Sequence, residues 1–229
     1  MNPHYTYSLI LLCALAGPLL LSFDKKVAFY KKWKFLFPSM LLPAFFYIVW
    51  DIWFTDMGVW SFNESYILPI RKVFNLPIEE VLFFFIVPYC SVFIYECIKS
   101  YFPRLQGSLL VERIVQALAI LLFVFAMFFC KRYYTFVTFS LNSIIILLYF
   151  IFRQIFRGLD MTAFIVSYLI TLIPFLIVNG LLTALPVVRY NDAQNMGVRI
   201  YTIPFEDIFY GMLLIFLNVW GYEYLSKKK

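Results

Sequence analysis

The chain has little charge, a single histidine and no polar stretch long enough to enclose a core of its own. Charged residues occupy 14% of its 229 positions, too few to cover a soluble globule of that length with polar surface. A hidden soluble domain is therefore excluded. The lone histidine, His4, sits near the N-terminus without an evident partner, and Cys13, Cys90, Cys97 and Cys130 lie in apolar runs with neither a C-x-x-C pair nor nearby histidines. They read as core-filling thiols. No G-x-G-x-x-G, P-loop, H-E-x-x-H or metal-spaced Cys/His cluster occurs, so no nucleotide or metal cofactor is expected. The first apolar run lacks a basic leader and a small-residue cleavage site, and is read as a retained helix.

What the chain has instead is hydrophobic residues at 63% and a mean hydropathy of +0.84. They fall in runs of about 18–22 residues, the length that spans hydrocarbon as a helix. The fold class expected is all-α and polytopic, with helices near 5–22, 34–54, 77–98, 112–130, 135–152, 160–182 and 204–225. Net charge is +6, yet Lys and Arg cluster between the spans without an aromatic-interleaved basic face, so nucleic acid is not an expected partner. The cations report orientation. With the N-terminus outside, the inner face receives Lys25, Lys26, Lys31, Lys32, Lys34, Lys99, Arg104, Arg113, Arg153, Arg157 and Lys227 to Lys229; the outer face receives only Arg71, Lys72, Lys131, Arg132, Arg189 and Arg199. That bias places an integral cell-membrane protein with its N-terminus outside and its C-terminus in the cytoplasm.

An internal repeat appears when LPIEEVLFFFIVPYCSVFIYE is laid on IPFEDIFYGMLLIFLNVWGYE. Pro77 then meets Pro204, Glu79 meets Glu206, Glu80 meets Asp207 and Glu96 meets Glu223. Upstream, Asp51 falls on Asn179, Thr55 on Thr183 and Asn63 on Asn191, and the YTY at Tyr5 is aligned with the YTF at Tyr134. The expected division is a three-helix repeat in 1–110, a linking helix in 111–132 and a second repeat in 133–229. Because the linking helix restores the orientation, the repeats are parallel, related by an axis along the membrane normal. Such an axis makes the third and seventh helices facing walls of a shared cavity.

Carboxylates in a span are the first functional suspects, since a charge at mid-bilayer costs about 2.5–3.5 kcal/mol even on lenient scales. Glu79, Glu80, Glu206 and Asp207 are the candidate catalytic residues. Each pair follows a proline at what reads as the first helical position, where acids are also ordinary helix-start chemistry; recurrence in both halves favours function. Adjacent acids point about 100° apart, so one of each pair can face a cavity while the other finds a hydrogen-bonding partner. Asp51 and Asn179 could support them or serve as interhelical glue. Glu96 and Glu223 lie about 25 Å further along their helices, candidates of lower rank that also read as carboxylates paired to cytoplasmic lysines. Trp50, Trp53 and Trp60 are read first as interfacial belt residues and second as cavity walls.

The motif P-x-E-E, repeated as P-x-E-D ahead of L-N-V-x-x-Y-E, resembles the non-flavin lycopene cyclases of carotenoid synthesis, over nearly the whole chain. In that family two three-helix subunits form a heterodimer or are fused through an extra helix, and this chain resembles the fused form. The resemblance implies a carotenoid cyclase, an isomerase of the intramolecular-lyase type, acting on lycopene or a related linear carotenoid within membrane lipid. It makes Glu79, Glu80, Glu206 and Asp207 the catalytic residues, supported by Pro77, Pro204, Asp51, Asn179 and Asn218. Phe205 stands between Pro and Glu in the second motif and Gly211 replaces Phe84, so the halves depart from identity. Protonation of a terminal alkene, ring closure and loss of a ring proton would give a β-type ring without cofactor. Glu79→Gln and Glu206→Gln are expected to abolish most activity. A transporter, or another carotenoid- or isoprenoid-binding membrane protein, remains the alternative, because parallel repeats and intramembrane acids also build substrate pathways.

Overall fold

The computed structural model describes residues 2–70 and 72–227. Arg71, Lys228 and Lys229 of the cation count lie outside the described residues. Among the described residues, seven helices are long and apolar enough to cross a membrane: α1 (Thr6–Leu21), α2 (Trp33–Asp56), α3 (Ile78–Tyr101), α4 (Leu109–Phe128), α5 (Tyr133–Ile151), α6 (Met161–Ala184) and α7 (Glu206–Ser226). The protein is an integral membrane protein made of two repeated halves. Internal prolines at 18, 38, 43, 88 and 174 are tolerated because neighbouring helices can satisfy the freed carbonyls.

Helix starts follow their local chemistry. Ser108 caps α4 through Val111 N–H at 3.5 Å, and Asp160 caps α6 through Ala163 N–H at 2.8 Å. The two acidic helices begin otherwise: Pro77 is the N-cap of α3 and Phe205 that of α7, with no side-chain cap on either. The prolines thus stand just ahead of the helices rather than at their first position. Glu79, Glu80, Glu206 and Asp207 stand in the first turns, a favourable place for negative charge.

The halves interlock. α3 and α7 are the most enclosed spans and touch at the centre; α2 packs mainly on α7, and α6 on α3, so each half's second helix leans on the other half's third. α1 flanks α3, α5 flanks α7, and α4 lies outside on α5. An element not foreseen from sequence joins the halves at the acidic end: β1 (Trp60–Phe62) pairs antiparallel with β2 (Val188–Tyr190), in the register Trp60 to Tyr190, Ser61 to Arg189 and Phe62 to Val188. Ser61 thereby pairs with its own repeat equivalent, so the pseudo-twofold axis passes through the ribbon. The flanks obey the same symmetry, with Asn63 N–H donating to Val187 O and Asn191 N–H to Val59 O, both at 2.9 Å.

Candidate active site

The acids of the two motifs divide by helix phase. Glu79 Oε1 accepts from Ser8 Oγ at 3.2 Å and from Leu68 N–H at 2.8 Å. Glu206 Oε1 accepts from Thr135 Oγ1 at 2.5 Å and from Met196 N–H at 2.7 Å. These two carboxylates tie a flanking helix and an incoming loop to the start of the central helix. One position on, Glu80 and Asp207 turn inward and line a common cavity of about 40 Å³ with Asp51, Asn179 and several aromatic rings.

Hydroxyl groups organise the inward pair. Tyr7 donates to Glu80 Oε2 at 2.6 Å; Tyr134 donates to Asp207 Oδ1 at 2.5 Å. Asp207 Oδ2 receives two more, from Tyr190 at 2.9 Å and Asn179 Nδ2 at 3.2 Å. Asp51 lies close to Glu80, and its Oδ2 is buried with no hydrogen-bond partner among the described residues. Burial, and then the Asp207 carboxylate, push the Tyr190 phenol well above its ordinary value, so this β2 residue remains a proton-bearing donor. Trp60 packs on Tyr134 and Trp50 on Tyr210, at ring centroid distances of 5.2 and 5.0 Å. Trp50 and Trp60 are buried and only Trp53 is exposed, which corrects the belt reading for the first two.

The tyrosines correct the repeat alignment as well. Tyr7 and Ser8 do in the first half what Tyr134 and Thr135 do in the second, so Tyr7 rather than Tyr5 is the partner of Tyr134. The spacing is 127 residues, that of Glu79 and Glu206, and it was the available signal for these residues. Tyr190 has no hydroxyl counterpart, since Phe62 stands at the matched place. Asn218 does not join the cavity: its Nδ2 bonds Leu214 O at 2.8 Å within α7. Pro77 and Pro204 set the helix starts without lining it.

Glu96 and Glu223 sit at the other end of the bundle among lysines. Lys32 pairs with Glu96, Lys99 bridges Glu96 at 3.1 Å and Glu223 at 2.5 Å, and Lys227 approaches Glu223 at 3.2 Å. Tyr95 donates across the pseudo-axis to Glu223 at 2.8 Å, and Tyr222 interacts with Glu96 in return. These contacts clasp the halves together, a helix length from the acidic cavity.

Two carboxyl groups meeting in an aromatic-lined cavity suit proton transfer to and from an apolar molecule. No curated protein and no solved structure matches the chain. A family model described as lycopene cyclase matches residues 4–98 and again 131–225. Each matched segment carries one acidic motif with its tyrosine, α4 alone falls between them, and the chain belongs to the lycopene cyclase family.

Proposed function

We propose that the Glu80–Asp207 cavity converts an end of a linear carotenoid to a ring by acid-base catalysis, without redox cofactor or metal. The observation that carries this reading is the convergence of both motifs' second acids on one cavity. Asp207 accepts three hydrogen bonds and is the better solvated as an anion, so it takes the part of base and cation stabiliser. Glu80 accepts one and has the carboxyls of Asp51 and Glu79 as neighbours; it takes the part of acid.

The chemistry balances without an oxidant. Glu80 delivers a proton to the terminal trisubstituted alkene, the tertiary cation is attacked by the neighbouring double bond, and a carboxylate removes a ring proton. The faces of Trp60, Tyr134 and Tyr210 around the cavity can stabilise the passing cation by about 0.5–2 kcal/mol each. Removing the proton from the ring carbon that bears the polyene chain gives the β-type ring.

Detergent-solubilised protein incubated with lycopene in deuterated water tests this. The product should carry one deuterium per ring and, in ordinary water, keep the substrate mass, with no flavin, nicotinamide or metal added. A product heavier by water or lighter by two hydrogens would exclude cyclisation, and a strict flavin requirement would exclude the cofactor-free route.

A further inference from the structure

The acidic cavity is far too small for a long polyene, which must therefore lie elsewhere. Alongside it runs a groove of about 490 Å³ between α1, α3 and α6. On α1 it extends from Leu9 to Pro18, about 14 Å at 1.5 Å per residue. It starts at the level of Tyr7 and Ser8 and descends towards the membrane midplane. Its lining is apolar apart from the Ser91 and Thr171 hydroxyls and the thiols of Cys13 and Cys90, and its lip, at Ile177 and Leu181, is exposed where lipid would lie. Phe175 belongs to the walls of both groove and cavity.

The other half carries bulkier residues at the matched positions. At the places of Ala14, Cys90, Pro174 and Val178 it carries Leu141, Leu217, Phe46 and Trp50, each a larger side chain. Leu141 and Leu217 pack against the aromatic core, and Trp50 is buried on Tyr210.

Building on the cyclase reading above, we propose that the α1–α3–α6 groove is the seat of the extended polyene, holding it from the lipid side with one end at the Glu80–Asp207 cavity and Phe175 as the partition between them. The occupant is an isoprenoid chain because the groove is apolar along its length, opens to lipid and ends at groups that handle protons. The molecule then works on one end at a time.

The test uses the full chain in detergent, with lycopene as probe and two readouts: kcat/KM for ring formation, and the visible circular dichroism of the bound polyene. Ala14→Phe narrows the groove without touching the acids, and Ala14→Leu introduces the residue the second half already has. Ala14→Phe should lower kcat/KM about tenfold or more, chiefly through KM, and weaken the bound-polyene band, with Ala14→Leu intermediate. Leu141→Phe, at the matched place of the other half, should leave both readouts at wild-type values. Wild-type behaviour of both Ala14 variants would overturn the proposal and leave the groove to lipid acyl chains. Equal losses in Ala14→Phe and Leu141→Phe would also overturn it, as a general packing effect. A polyene band sensitive to Ala14→Phe in a wild-type protein that forms no ring would uphold the groove and sink the cyclase reading alone.

Discussion

Glu79 and Glu80 differ by about 100° of helix rotation, and that rotation decides what each can do. Glu80→Gln and Asp207→Asn should each lower ring formation by about 10²-fold or more, since the amide keeps shape and loses the transferable proton. Glu79→Gln and Glu206→Gln should act more on stability, weakening bonds to Leu68 and Met196 by about 1–3 kcal/mol; thermal unfolding beside turnover in detergent separates the two classes. If Glu79→Gln abolished turnover at unchanged stability, the inward and outward assignment would be reversed. The sequence displayed both acid pairs but not their phase, which depends on where Pro77 and Phe205 let each helix begin. Tyr7, Tyr134 and Tyr190 were harder still to find. Among 17 tyrosines, only repeat spacing distinguishes the first two, and Tyr190 breaks the repeat altogether.

Among the elements, α3 and α7 meet matched neighbours, Tyr47 and Phe175, through one unlike position, Phe84 and Gly211. A Cβ placed on Gly211 would lie 2.7 Å from the Phe175 ring, whereas the matched Phe84 packs on Tyr47 at a centroid distance of 5.6 Å. Gly211→Ala should therefore cost about 1–3 kcal/mol by overpacking, read as a lower unfolding temperature, and Phe175→Leu should recover part of it. Failure of that rescue would mean the strain lies elsewhere. At the opposite ends of the same helices, Lys99→Met should destabilise markedly more than Lys72→Met. It strips the bridge between two buried carboxylates, a loss of about 3–5 kcal/mol for buried pairs, while Lys72 pairs only with exposed Glu64. The helices themselves were legible because apolar runs of membrane length admit few other structures. The β1–β2 ribbon was not: three-residue strands carry no usable periodicity, and their pairing is decided by where the two halves meet.

For the whole molecule, the cation bias sets an expectation that the bundle alone does not fix. A reporter fused at the C-terminus should read cytoplasmic and one inserted in 56–70 external, placing the acidic cavity near the outer face; the reverse result would put it at the cytoplasmic face. The repeat was readable as duplicated acids, but the crossing of α2 onto α7 and α6 onto α3 was not, since hydropathy says which residues avoid water and nothing about which helix they choose. The ribbon on the pseudo-axis has a further consequence, for descent. It joins the halves through main-chain N–H and C=O groups, which every residue but proline supplies in full, so the joint is indifferent to the side chains that flank it. After a duplication, either copy can change its residues there without releasing its twin. Phe62 opposite Val188 and Trp60 opposite Tyr190 are such unlike pairs. A phenol acquired by one copy alone, at Tyr190, could thus be recruited to Asp207 while the union that made the cavity stayed intact.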